Sequence, residues 1–294
     1  MKVDLHVHSH WSDGSLPVAE IVTSAKRLGL ERIAITDHDT LAGQEEALAE
    51  GERQGVSVIP GIEVSALDPG TGRKVHILGY GIRDAETVNR TCLPYLQDRS
   101  RANYEAAALA EQAGYPTDGA LASYAGRQGI LYRPHIMHAL MDRGYESSVY
   151  GPLYARLFGP GGLAVVKSRY MSAEEAVRLV CDCGGYAVLA HPFYYDSLGL
   201  LPSLVRWGLS GIEALHPTQG PERQRLVREQ AEAHGIFLTG GSDFHGLYSE
   251  DPVPLGGMAV EIPADHPLAR LGCQGGQVSE PARINKRVRE LSEL

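Results

Sequence analysis

Apolar residues along this chain come in short blocks separated by amphipathic stretches, a rhythm of alternating strands and helices. Residues 1–14 open with a strand-like run, and strict two-residue alternation places Asp4, His6 and His8 on one face with Leu5 and Val7 on the other. Residues 16–28 carry apolar positions at helical spacing, with Pro17 suited to the first turn and Gly29 placed to end the helix. A short apolar run at 32–36 reads as a buried parallel strand, and 41–54 as a helix. The strand pattern repeats at 56–60 and ends at Glu63. Residues 75–80 form the next strand, and the turn at 70–73 makes a hairpin of it with 64–67.

The rhythm then stops. Residues 84–168 read as helical, most clearly at 99–113 and 135–143, and Gly159-Pro160-Gly161-Gly162 marks the far boundary. Alternation resumes with a helix at 172–183, whose Ser172 and Glu175 fit a capping box. Strands follow at 186–190, 211–215 and 236–239, ending in His191-Pro192, His216-Pro217 and Gly241-Ser242-Asp243-Phe244-His245. A polar helix covers 221–234 and a closing helix 283–294. About seven strands that mostly deliver polar residues at their C-terminal ends point to an α/β fold, a distorted (β/α)7 barrel with an inserted helical subdomain. The barrel takes 1–83 and 169–294, and the insertion 84–168.

Composition narrows the partners. The net charge is −9 with a pI near 5.7, which argues against a broad basic surface and a stable nucleic-acid partner. A small anionic substrate drawn to one site remains compatible with it. Met1 is followed by Lys2, Asp4 and His6 rather than an apolar run, and no stretch reaches membrane-span length, so a soluble cytoplasmic protein is expected. Cys92, Cys181, Cys183 and Cys273 are too scattered for a disulfide framework and read as structural thiols.

Ligand-type residues recur at strand ends: His6 and His8, then Asp37-His38-Asp39, Glu63, His76, His191 and Asp243-Phe244-His245. Imidazoles mixed with carboxylates, and no cysteine among them, suit Zn²⁺, Mn²⁺ or Fe²⁺. So many donors exceed the needs of one ion, and two or three divalent ions sharing a bridging carboxylate would use them all.

Asp4-Leu5-His6-Val7-His8-Ser9, Ile35-Thr36-Asp37-His38-Asp39, Leu189-Ala190-His191-Pro192 and Gly241-Ser242-Asp243-Phe244-His245 together resemble the motifs of the polymerase and histidinol phosphatase (PHP) family, in the family's order. The resemblance implies a seven-stranded distorted barrel that hydrolyses phosphate esters with two or three divalent ions. By motif, His6, His8, Glu63 and Asp243 would hold a first ion; Glu63, His76 and His191 a second; and Asp13, His38 and His245 a third. Asp13 lies in a Ser-Asp-Gly turn, where a turn-forming role is the alternative. Asp4 and Asp37 are expected to support ligands through hydrogen bonds or charge. His10, His138, His234 and His266 are expected at the surface or in packing.

The helical stretch resembles that of the family's nucleotide phosphatase branch, through Arg133-Pro134-His135 and Val165-Val166-Lys167-Ser168. Arg133, with its planar fork of donors, is the leading phosphate clamp, beneath a substrate lid. His135 either touches substrate or caps its helix, and Lys167 and Ser168 join it as substrate contacts. His216 either reaches the substrate or is structural. A water held between the ions would lose its proton near neutral pH and attack phosphorus, with His191 or His216 protonating the leaving oxygen. The expected function is hydrolysis of a small phosphorylated metabolite: a nucleotide, a nucleoside 3′,5′-bisphosphate or a cyclic sugar or nucleotide phosphate. The alternatives are a 5′–3′ exonuclease on short oligonucleotides, a histidinol-phosphate phosphatase, and a non-catalytic metal-stabilised domain.

Overall fold

In a computed structural model the described residues are 1–271 apart from 118, 120, 251 and 252; the expected helix at 283–294 and Cys273 lie outside them. Among the described residues nine strands form one sheet: β1 (Lys2–Val7), β2 (Arg32–Ile35), β3 (Ser57–Leu67), β4 (Lys74–Tyr80), β5 (Met171–Ser172), β6 (Tyr186–Leu189), β7 (Gly211–Leu215), β8 (Phe237–Gly240) and β9 (Val260–Glu261). The helices are α1 (Val18–Arg27), α2 (Gln44–Gln54), α3 (Ala85–Gln112), α4 (Leu121–Tyr124), α5 (Arg133–Asp142), α6 (Pro152–Phe158), α7 (Ala173–Asp182), α8 (Leu201–Trp207) and α9 (Pro221–His234).

The strand order β8-β7-β6-β4-β3-β2-β1-β9, with β5 alongside β3, almost closes on itself. A bridge between Val7 and Phe244 joins β1 to the segment after β8, and the His8 amide donates to the Phe244 carbonyl at 2.9 Å. The result is a distorted seven-stranded β/α barrel of β1 to β4 and β6 to β8. Helices α1 and α2 pack on one part of its outside, burying Ile21, Val22 and Ala47 against Ile33, Ile35 and Val58. Helices α7, α8 and α9 cover another part through Val177, Leu204 and Val227. Inside lie Leu5, Ala34, Ile59, Leu78, Tyr80 and Val188. Each of the leucine, isoleucine and valine side chains taken out of water there contributes about 1.5–3 kcal/mol.

Three local expectations are corrected. The strand expected to stop near Glu63 runs unbroken from Ser57 to Leu67, so Glu63 sits mid-strand. His76 belongs to β4, which is antiparallel to both β3 and β6 and therefore contributes no C-terminal strand end at the common rim. Because β4 descends from that rim, its first residues lie beside the ends of the parallel strands. Strict alternation also fails in β1. A register shift between Asp4 and Val7 leaves Leu5 in the interior core and Val7 in the outer one.

The hairpin turn, the Ser172–Glu175 capping box, β7 and α9 match the sequence reading. Helix α3 starts fourteen residues before the expected position at 99, at Ala85, and runs through Pro94. Asp84 caps it, accepting from the Thr87 amide at 3.0 Å. Helices α3 to α6 share their own apolar core of Ala106, Leu131, Ile136, Leu140 and Leu157, joined by Tyr248 from beyond β8. Among the described residues no helix is long and apolar enough to cross a membrane.

Candidate metal centre

At the rim the barrel gathers imidazoles around one carboxylate. The two oxygens of Glu63 divide them: Oε2 lies 3.3 Å from His6 Nε2, 3.2 Å from His8 Nε2 and 3.2 Å from His38 Nδ1, while Oε1 lies 2.8 Å from His76 Nδ1 and 2.9 Å from His191 Nε2. Asp243 Oδ1 adds contacts of 3.3 and 3.2 Å to the same nitrogens of His6 and His8. Asp13 faces His8, His38 and His245 at 3.8, 3.8 and 3.5 Å.

Among the described residues, donor atoms within 4.8 Å of one another form three sets: His6, His8, Glu63 and Asp243; His38, Glu63 and His76; and His8, Asp13, His38 and His245. All of the expected ligands are thus brought together, with His191 attached through Glu63 Oε1 rather than within the second set.

The backbone is bent to do this. Asp39, His191 and Asp243 take positive φ of 57°, 22° and 49°, a region non-glycine residues rarely occupy. A Cβ at Gly241 would fall 2.4 Å from the Cβ of His6, so only glycine lets the loop after β8 pass this close to β1. Two buried carboxylates fasten the loops. Asp37 accepts from the Ser9 amide and from the hydroxyls of Ser9 and Ser12 at 2.6–2.8 Å, holding the turn that carries Asp13. Asp4 accepts from the Ser242 amide at 3.0 Å, the Ser242 hydroxyl at 2.6 Å and the Gly256 amide at 2.7 Å, holding the turn that carries Asp243.

Glu213 was missed by sequence reading. It is fully buried in β7, with Oε1 3.1 Å from His6 Nδ1 and Oε2 accepting from the His191 amide at 2.8 Å. A carboxylate inside the apolar run Gly-Ile-Glu-Ala-Leu was the available signal, since a buried charge requires partners.

Electrostatics suit a cation. Burial alone would raise the carboxyls of Asp13, Glu63 and Asp243, yet the surrounding imidazoles hold all three well below the ordinary range. Burial likewise pulls His8 down, but Asp243 and Glu63 lift it to about 10. His38 and His76 stay low, chiefly through burial. Positive charge is therefore strongly favoured between the carboxylates, as a divalent ion would supply it. His6 Nε2, both nitrogens of His8, His38 Nδ1, Asp13 Oδ1 and Asp243 Oδ1 are buried without a hydrogen-bond partner, which metal coordination would satisfy. The donor set fits divalent ions.

The centre opens into a cavity of about 160 Å³, lined among others by Tyr150, Tyr154, Tyr194 and Tyr195. His216 lines it. The Thr218 amide donates to His216 Nδ1 at 3.2 Å, which leaves the ring proton on Nε2, donated to Asp243 Oδ2 at 3.2 Å.

Residues 4–187 match the model of the PHP domain. The phosphoribosyl 1,2-cyclic phosphate 1,2-diphosphodiesterase of Eggerthella lenta is 43% identical, over 85% of this chain and 96% of that protein. The chain belongs to the PHP family. Among other PHP relatives, a 5′-3′ exoribonuclease of Haemophilus influenzae is 32% identical, covering 83% of this chain and 90% of the relative. A 3′,5′-nucleoside bisphosphate phosphatase of Chromobacterium violaceum is also 32% identical, covering 83% and 87%. A crystal structure from Bifidobacterium adolescentis, described as a metal-dependent phosphoesterase, superposes with a TM-score of 0.79 at 28% identity, over 86% of this chain and 90% of that one. This PHP chain is a metal-dependent phosphoesterase.

The other residues singled out in the sequence fall into two groups. His135 is buried in the cap of α5, its Nδ1 accepting from the Tyr132 amide at 3.2 Å, and burial lowers it to about 4. Arg133 lies over the Phe158 ring at 5.4 Å, Lys167 is exposed and Ser168 half-buried; none of these four lines the metal cavity. His138 pairs with the Tyr248 hydroxyl at 2.7 Å, His266 with the Leu238 carbonyl at 3.0 Å, and His10 and His234 are half-buried away from the ligand sets. The cavity tyrosines were not foreseen, because they lie in irregular segments and helices with no periodic signal.

Proposed function

We propose that this PHP chain hydrolyses phosphate esters of a small phosphorylated metabolite, a nucleoside bisphosphate or a cyclic sugar or nucleotide phosphate. It would use two or three Mn²⁺, Zn²⁺ or Fe²⁺ ions held by His6, His8, Asp13, His38, Glu63, His76, His191, Asp243 and His245. The observation that carries this reading is the division of Glu63, one oxygen toward His6, His8 and His38 and the other toward His76 and His191, which is the geometry a bridging carboxylate needs. The cyclic phosphodiesterase and bisphosphate phosphatase relatives support the substrate class.

Divalent ions there would activate water near neutral pH and offset charge on the phosphoryl oxygens. The chain supplies the rest. Glu213 sets the His6 ring, Asp37 and Asp4 set the two ligand loops, and the tyrosine walls exclude water around a small substrate. His216 holds a proton at Nε2 at the cavity edge, positioned to serve the leaving oxygen. Residues 84–168 serve as a lid in this reading, supported by Tyr150 and Tyr154 in the cavity wall and the Tyr132 hydroxyl donating to the His38 carbonyl at 3.4 Å. The free thiols of Cys92, Cys181 and Cys183 suit a reducing cytoplasm. A 5′-3′ exonuclease on short oligonucleotides is the second reading, favoured by Tyr194, a rim ring 44% exposed and able to stack a base.

The test is a phosphate-release screen of purified protein loaded with Mn²⁺ against mono-, bis- and cyclic phosphates, with short oligonucleotides in parallel. Chelation followed by dialysis should abolish release and added metal restore it. Undiminished release from metal-free protein would sink the reading.

A further inference from the structure

Strand β7 departs from regular pleating just where it serves the metal centre. Continued regularly, a strand sends residues three apart to opposite faces. Glu213 and His216 are three apart, yet both face the centre: Glu213 through His6 and the His191 amide, His216 through Asp243 and the cavity. The alternation breaks between them. Ala214 lies in the apolar core that Ile212 shares with α7, α8 and α9, and the next residue, Leu215, packs against that same core. The register with β8 shows the same break: Glu213 pairs with Thr239 and Leu215 with Gly240, so Ala214 is the extra residue of a β-bulge.

A bulge disrupts the ladder, and buried backbone groups there need other partners. Gln219 supplies them. Its Nε2 donates to the Glu213 carbonyl at 3.1 Å and to the Ala214 carbonyl at 2.9 Å, and two acceptors at one end of the amide identify that end as the nitrogen. Its backbone amide donates to the His216 carbonyl at 2.9 Å, and its carbonyl accepts from Gln224 Nε2 of α9 at 2.7 Å, so the turn carrying His216 is tied at both ends. Gln219 is buried, and its Oε1 has no hydrogen-bond partner. An orphaned buried acceptor is destabilising, so an apolar side chain would suit this place better if the two donated bonds were not needed. Gln219 itself does not line the metal cavity.

We propose that Gln219 is a positioning residue for phosphoester hydrolysis: by bracing the bulge of β7 it keeps Glu213 behind His6 and His191 and keeps His216 at the cavity edge. One side-chain amide then sets both the support of the metal ligands and the proton donor. As the ester P–O bond breaks, the proton passes from His216 Nε2 to the leaving alkoxide, which departs as an alcohol. The His216 half of the proposal rests on the reading of that residue as the proton source, and the Glu213 half stands apart from it.

The experiment measures Mn²⁺ affinity by chelator competition, and kcat of the Mn²⁺-saturated protein on two esters. One is 4-nitrophenyl phosphate, whose phenolate leaves without a proton; the other is glycerol 1-phosphate, whose alkoxide needs one. Gln219→Met keeps the length and removes the donors. It should weaken Mn²⁺ binding about tenfold, and lower kcat about tenfold or more on the glycerol ester while the nitrophenyl ester falls much less. His216→Gln should reproduce the difference between esters with a smaller change in Mn²⁺ affinity. Thermal unfolding of the chelated proteins identifies folded variants, and Gln219→Asn, one methylene too short to reach both carbonyls, replaces a methionine variant that does not fold. Folded variants with parental Mn²⁺ affinity and no difference between the esters would overturn the positioning role, whether or not both rates fall together. Failure of both variants to fold would overturn it too, since the amide would then serve the fold alone. If His216→Gln shows no difference between esters, or the parent hydrolyses neither, the proton-donor reading fails or drops out and Mn²⁺ affinity alone decides for Gln219.

Discussion

Replacing Glu213 by glutamine tests whether the ligand geometry is set from behind. The side chain keeps its length and volume, but one acceptor oxygen becomes a donor. Glu213 serves two buried groups, His6 Nδ1 at 3.1 Å and the His191 amide at 2.8 Å, and with His6 Nε2 turned toward Glu63 and Asp243 its Nδ1 carries the proton. Whichever way the amide turns, one of those two donors meets an NH₂. A buried unsatisfied donor costs about 1–3 kcal/mol, which should lower Tm by several degrees in a chain of this length. Loss of the carboxylate behind His6 also weakens the ring as a ligand, and removal of such supporting partners typically costs about 10–100-fold in metal affinity or activity. Metal affinity by chelator competition and kcat/KM by phosphate release should both fall in that range for Glu213→Gln, and further for Glu213→Ala, which strands both donors. The ion of the set containing His6, His8, Glu63 and Asp243 should be the one lost. A glutamine variant with parental metal affinity and kcat/KM would refute the positioning role.

Glu63→Ala should strip more metal than Asp13→Ala, because Glu63 touches five imidazoles with its two oxygens and Asp13 serves one set; equal loss by elemental analysis would count against a bridging Glu63. Chelated protein should be most stable near pH 6.5. His8, pulled down by burial but lifted to about 10 by Asp243 and Glu63, contributes stability that is full below its unfolded value and lost as pH rises toward 10. His38 and His76, buried and lowered, bind fewer protons folded than unfolded, so they cost stability as pH falls below about 6.5. A thermal-unfolding midpoint of chelated protein that does not decline between pH 6.5 and 10 would contradict this account.

Much of this protein could be read from local pattern. The period-two and period-3.6 runs located the barrel strands and most helices, the Ser172–Glu175 cap and the β3–β4 turn were legible as motifs, and His6, His8, His38, His191 and Asp243 stood at strand ends where barrel chemistry collects. Periodicity is a property of neighbours, however, and it is silent about which distant residues closure brings together. The pairing of β4 with β6, which sets His76 beside His191, and the contact of Glu213 with His6 across 207 positions arise only when the sheet curls and pairs. These contacts join residues far apart along the chain, and burial and mutual attraction have no value until the tertiary fold sets the distances.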